Sequence, residues 1–154
     1  MEIKHIFVVG SGTMGNGIAQ VAATSGYQVT CMDVQSAALE KAKAAIAKST
    51  AKLLEKGTIT QEGKDSADKI NYVSNMDTMK DADFVIEAAT ETPELKFKIF
   101  KDMDANAREG VILASNTSSI SITKIAAQTN RPERAIGMHF MNPVPLMKLV
   151  EVIK

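Results

Sequence analysis

A doubly wound α/β sheet is the fold this sequence predicts, and three observations predict it. Short β-branched runs alternate with longer helical patterns from end to end. The first run leads straight into the glycine-rich turn Gly10-Ser11-Gly12-Thr13-Met14-Gly15. The second run closes on an acid, Asp33, about 20 positions after that turn begins.

Each element has a local reason. Ile6 to Val9 reads as the first strand, and a helix follows from about Met14 to Ser25, with Gly26 placed to end it. Gln28 to Met32 is the second strand. A long helix runs from Ser36 to about Lys56, and Gly57 stops it. Thr60 to Lys69 is a further helical pattern with Thr60 as its cap; Gly63 is a weak spot where a capping box favours Glu or Gln. Strands are expected at Ile70–Val73 and Phe84–Glu87. Pro93 opens a helix to about Ala107, in the first turn where its missing N–H costs nothing. Val111–Ala114 is a strand, Ile120–Gln128 a short helix, and Arg134–His139 and Leu149–Ile153 the last two strands. The order is a mostly parallel sheet with a helical insertion after the second strand. No closing helix follows the last strand before Lys154, so residues 1–154 read as one dinucleotide-binding domain of a truncated, longer protein.

Composition narrows the function. The 154 residues are 45% hydrophobic and 23% charged with a formal net charge of +0, a globular balance without a global field to draw nucleic acid or anionic membrane. No apolar run approaches the roughly 18 residues of a membrane span, and no secretory leader follows Met1, so a cytoplasmic protein is expected. The lone Cys31 sits in an apolar run and reads as a buried strand residue rather than a reactive thiol. With one cysteine and two histidines, no metal site is expected.

The glycine turn carries the strongest functional signal, because a strand precedes it and a helix follows. Gly10 permits the tight turn, Gly12 a close backbone approach to pyrophosphate, and Gly15 close helix–strand packing. The helix N-terminus, with Ser11, Thr13 and Met14 around it, offers N–H groups to the phosphates. Asp33 is placed to accept the adenosine ribose hydroxyls and to repel a 2′-phosphate; this is a Rossmann-type site, and NAD is favoured over NADP.

His139 ends a strand at the sheet's carboxyl edge, where ligands of such folds sit and where an imidazole suits proton exchange. Glu151 lies among aliphatic residues, where a carboxylate is costly unless paired, and His139 is its natural partner. A satisfied core histidine and a glutamate on the open face of an edge strand remain equal alternatives. His5, before the first strand, reads as a surface residue. The Ser115–Ser119 cluster falls at the same edge; Ser118 or Ser119 also reads as a cap for the helix that follows. On the long helix Leu39, Ile46 and Leu53 share one stripe, at about 100° per residue. Lys41, Lys48, Lys52 and Lys56 share another, bordered by Ser49. Such a row suits an anionic partner or simply water.

Four segments together resemble the 3-hydroxyacyl-CoA dehydrogenase family, over the full chain and most closely its bacterial short-chain members. They are the glycine loop, Glu87-Ala88-Ala89-Thr90-Glu91, Ala114-Ser115-Asn116-Thr117-Ser118-Ser119, and the segment from His139-Phe140-Met141-Asn142-Pro143 through Lys148-Leu149-Val150-Glu151. The resemblance implies that His139 is the acid–base, Glu151 its carboxylate partner, and Ser118 a hydrogen-bond donor to the substrate oxygen that also contacts the cofactor. It implies NAD contacts at Asn142, Glu91 and Lys96, and CoA contacts at Ser49, Ser118 and Lys56, with Lys52 beside them. The reaction implied is hydride exchange between NAD and a short 3-hydroxyacyl-CoA such as 3-hydroxybutyryl-CoA, in fatty-acid or butyrate metabolism. The family's second, helical domain, which builds its oligomer, has no counterpart here, so residues 1–154 alone are expected to turn over poorly. Two rival readings stay open: a non-catalytic NAD-binding homologue, and a dehydrogenase of small free hydroxy acids.

Overall fold

The computed structural model describes residues 2–147 and 150–154. Seven strands form one sheet: β1 (His5–Val9), β2 (Gln28–Met32), β3 (Asn71–Val73), β4 (Phe84–Glu87), β5 (Ile112–Ser115), β6 (Ala135–Phe140) and β7 (Val150–Ile153). Their spatial order is β3-β2-β1-β4-β5-β6-β7. All pairs are parallel except β6–β7. The chain reverses its direction of growth between β1 and β4, which makes the crevice beyond those two strands the expected ligand site. Leu149, expected to open the last strand, lies outside the described residues.

Among the described residues five α-helices cover the faces: α1 (Thr13–Thr24), α2 (Ser36–Glu55), α3 (Gln61–Asp68), α4 (Pro93–Asn106) and α5 (Ile122–Ala126). Two cores result, one on each side of the sheet. Ile6, Val8, Ile18, Val29, Cys31 and Ile46 belong to the first, under α1 and α2. Phe7, Val9, Val85, Phe100, Met103 and Leu113 belong to the second, under α4. Alternate residues of β1 feed opposite cores, so the strand is apolar throughout, as a doubly covered parallel strand must be. Cys31 is fully buried, and burial, helped by Asp33, pushes its thiol up to about 12, which makes it inert at neutral pH.

The local signals for helix ends act as expected. Gly26 and Gly57 stand at φ 102° and 74°, beyond α1 and α2. Thr60 Oγ1 accepts from the Gly63 N–H at 3.1 Å and caps α3. Arg131 closes α4 from a distance, donating to the Asp104 and Ala107 carbonyls while its Nε meets the Asp104 carboxylate at 2.7 Å.

Two readings change. The short helix begins at Ile122, and Ser121 caps it, not Ser118 or Ser119. Thr117 Oγ1 accepts from the Ser119 and Ile120 N–H groups, so a side-chain-held turn occupies the expected first turn of helix. His5 is the first residue of β1 and is buried. Its Nε2 lies 2.8 Å from Thr30 Oγ1 and its Nδ1 3.2 Å from the Asp81 carbonyl, which satisfies both nitrogens in place of water.

Candidate active site

The glycine loop joins β1 to α1 at the crevice. Gly10 has φ 102°, and a Cβ there would fall 2.7 Å from Ala89 Cα. A Cβ on Gly15 would collide with the Gly10 carbonyl oxygen. A Cβ on Gly12 would meet no protein atom within 4 Å. Protein packing therefore requires glycine at 10 and 15, whereas at 12 the space stays open toward the crevice. Gly12 is also the N-cap of α1 and supplies no side-chain acceptor, so the first N–H groups of the helix are left for a ligand. A nucleotide pyrophosphate fits both features.

On one side of this loop lies a cleft of about 480 Å³, bounded by Gly10, Asp33, Val34, Leu95 and Ile99. Its apolar walls suit a planar base. Asp33 Oδ2 accepts from the Ser11 N–H and Oγ at 3.1 and 2.8 Å, and Oδ1 accepts from the Gln35 N–H at 3.0 Å. The carboxylate expected to read the ribose thus also holds the phosphate loop in place.

On the other side lies a cleft of about 270 Å³, bordered by Gly12, Thr13, Met14, Glu91, Lys96 and Asn116. Its floor is ionic and buried. Lys96 is 1% exposed, and its Nζ lies 3.0 Å from Glu87 Oε1, a side chain that is fully buried. Ser115 Oγ donates to the same carboxylate oxygen at 2.8 Å, and Ala89 N–H donates to the other at 2.7 Å. Both carboxylate oxygens of Glu87 are engaged, as a buried charge requires. Glu91 is half exposed; it lies 3.7 Å from Lys96 Nζ and accepts from the Thr117 and Ser119 hydroxyls at 3.0 and 2.8 Å. Glu91 and Lys96 therefore both border the cleft, with Lys96 anchored beneath it.

The polar segment after β5 sits at the same rim. Ser115, Asn116 and Thr117 are buried, and Ser118 and Ser119 are exposed. His139, half-buried near the end of β6, stands opposite Glu151 of β7 in the antiparallel register. The expected burial of Glu151 does not hold: Val150 is half-buried, while Glu151, Val152 and Ile153 are exposed. The reason is topological, since β7 is an edge strand that no described helix covers. Asn142 follows β6 and is exposed. Farther along, Ser49 Oγ accepts from the buried Gln20 amide at 2.9 Å, and Lys41, Lys48 and Lys52 on α2 and Lys56 at its C-cap are all exposed.

A family model described as the NAD binding domain of 3-hydroxyacyl-CoA dehydrogenase matches residues 5–154. The chain belongs to this family. The nucleotide for which its glycine loop is built is accordingly NAD. Among curated relatives, a probable 3-hydroxybutyryl-CoA dehydrogenase of Bacillus subtilis is 50% identical over 155 residues, 100% of this chain and 54% of the relative. The 3-hydroxybutyryl-CoA dehydrogenase of Bradyrhizobium diazoefficiens is 48% identical over 99% of this chain and 52% of its own. The crystal structure of (S)-3-hydroxybutyryl-CoA dehydrogenase from Ralstonia eutropha superposes with a TM-score of 0.93 at 51% identity, over 98% of this chain and 54% of that one. The chain thus spans about half the length of these relatives. Among the described residues, no helix is long and apolar enough to cross a membrane, and no group of three or more potential ligands is placed to hold a metal.

The site of this 3-hydroxyacyl-CoA dehydrogenase domain also contains residues whose place the sequence alone does not reveal. Glu87 is one; a charge closing the apolar run Phe84-Val85-Ile86 was its only local signal. Gly17 is another, because a Cβ there would lie 2.9 Å from Val144 Cβ, so its absence lets the segment after Asn142 pack on α1. Leu95 and Ile99, walls of the larger cleft, were legible only as helix residues.

Proposed function

We propose that the domain serves an NAD-dependent dehydrogenase of short 3-hydroxyacyl-CoA esters, 3-hydroxybutyryl-CoA and acetoacetyl-CoA above all. The observation that carries this reading is the facing of His139 and Glu151 at the carboxyl rim. The strand end that bears His139 is hydrogen-bonded to Asn116, which lines the smaller cleft. Three named relatives of close similarity support the substrate class.

In the oxidative direction an imidazole nitrogen of His139 takes the proton of the C3 hydroxyl. The C3–H bond breaks with its electron pair leaving as hydride, and the C–O bond becomes a carbonyl. Bound NAD supplies the nicotinamide that accepts this hydride. Glu151 offsets the positive charge that His139 acquires. Ser118, exposed on the neighbouring loop, donates to the reacting oxygen, and Asn142 orients the nicotinamide. Ser49, Lys52 and Lys56 hold the CoA phosphates on α2. The exposed Leu146, Met147, Val152 and Ile153 suit coverage by the remaining half of a full-length protein, which is also where a homo-oligomer is built. Light scattering tests that last point, with a full-length dimer expected and a monomer counting against it.

The decisive experiment is NADH oxidation by acetoacetyl-CoA with the full-length protein. Turnover is expected, and His139→Gln is expected to reduce kcat by about 10²–10⁴-fold. Turnover of free acetoacetate but not of its CoA ester would favour the hydroxy-acid reading. NADH binding without any oxidation would leave a nucleotide holder.

A further inference from the structure

Asn116, two residues before the exposed Ser118, makes hydrogen bonds to two neighbouring strands. Its N–H donates to the Glu87 carbonyl at 2.8 Å, extending the β4–β5 pairing by one step. Its side-chain Oδ1 accepts from the Phe140 N–H at 2.9 Å. The backbone pairing of β5 with β6 ends at Ser115 and Gly137, so among the described residues this side-chain bond ties the end of β6, next to His139, to the β5 side of the sheet, while β7 pairs with its other edge. A backbone N–H can only be met by the amide oxygen, which fixes the amide's orientation. The Nδ2 group must then point the other way. Asn116 is 9% exposed and borders the smaller cleft with Gly12, Thr90 and Lys96. Among the described residues Nδ2 meets no acceptor, and no sealed side-chain nitrogen or oxygen lacks a partner, so Nδ2 opens to the cleft that Asn116 lines. A donor so placed, at the floor of a nucleotide crevice, is built to meet a ligand oxygen.

We propose that Asn116 is a positioning and cofactor-binding residue: its oxygen holds the His139 end of β6, and its amide N–H donates to a hydroxyl or carboxamide oxygen on the nicotinamide side of NAD. The proposal rests on the functional reading above. It predicts that acceptor and donor separate by substitution. Asn116→Asp keeps an oxygen for Phe140 and removes the donor. Asn116→Leu removes both.

In the full-length protein, Asn116→Asp is expected to retain slow exchange of the Phe140 amide hydrogen. Its Kd for NADH, read by cofactor fluorescence without substrate, is expected to rise roughly tenfold, as for the loss of one hydrogen bond to a ligand. Asn116→Leu is expected to speed Phe140 exchange at least tenfold and to lower kcat at least tenfold, with the KM for acetoacetyl-CoA little changed. Unchanged NADH affinity in Asn116→Asp overturns the donor role. Retained Phe140 protection in Asn116→Leu overturns the positioning role. If both variants only lower Tm and speed exchange throughout the sheet at constant NADH affinity, Asn116 is structural and the proposal falls. Failure of the functional reading is seen separately, as an unaltered enzyme that binds NADH and never oxidises it with acetoacetyl-CoA.

Discussion

His139 and Glu151 occupy directly opposed positions on β6 and β7, the one antiparallel pair of the sheet. Opposed residues on antiparallel strands project to the same face with Cβ atoms roughly 5 Å apart. A carboxylate and an imidazole at that spacing are within side-chain reach. Replacing Glu151 with Gln preserves size and removes charge. In the full-length protein kcat is expected to fall at least about tenfold while the KM for acyl-CoA stays nearly constant, because the pairing proposed above acts on protonated His139. Steady-state kinetics check this, and an unaltered kcat removes Glu151 from the mechanism.

The two glycines at 12 and 15 are expected to fail differently. Gly15→Ala drives a Cβ into the Gly10 carbonyl, so both stability and NADH binding should suffer. Gly12→Ala meets no protein atom, and its cost to folding should stay below about 1 kcal/mol. Its NADH affinity should nonetheless fall at least tenfold, since only the ligand contests that space. Urea melts and fluorescence titration of both variants separate the two cases.

The Glu87–Lys96 pair is buried on both sides. Lys96→Met strands a carboxylate in the interior and is expected to cost about 3–5 kcal/mol in denaturant unfolding. Adding Glu87→Gln should recover part of that loss, because the double variant buries no charge. A double variant less stable than Lys96→Met would show that packing, not charge, sets the cost.

Acid stability should carry the mark of Asp83. Arg108 beside it, and the Lys4 and His5 N–H groups, hold its carboxyl down at about 2. A lowered folded value means that its contribution is complete above the ordinary value of 3.8 and disappears as pH falls through about 2. Asp83→Asn should therefore lower stability at neutral pH and flatten its decline between about pH 4 and about pH 2. Thermal melts across that window test it; an unchanged slope would discount the group.

The lysine face of α2 yields a kinetic test. Reversing Lys52 and Lys56 to Glu should raise the KM for acyl-CoA severalfold and leave that for NADH unchanged, as screened point charges on a CoA phosphate site would. Equal changes in both constants, or none, would return these lysines to solvent.

The amino-acid sequence by itself determined the order of elements, the glycine loop, Asp33 at the end of β2, the cap at Thr60 and the stops at Gly26 and Gly57. These depend on backbone freedom, missing donors and hydrophobic period, which act over a few residues. Ser121 rather than Ser118 as the cap of α5, the burial of His5 and the exposure of Glu151 were decided by tertiary structure. So were the Glu87–Lys96–Ser115 cluster and the grip of Asn116 on Phe140. A period of two says that neighbouring side chains take opposite faces. It does not say which face another layer covers, or which distant strand lies alongside, and those two facts set the burial and partners of every polar group at the rim.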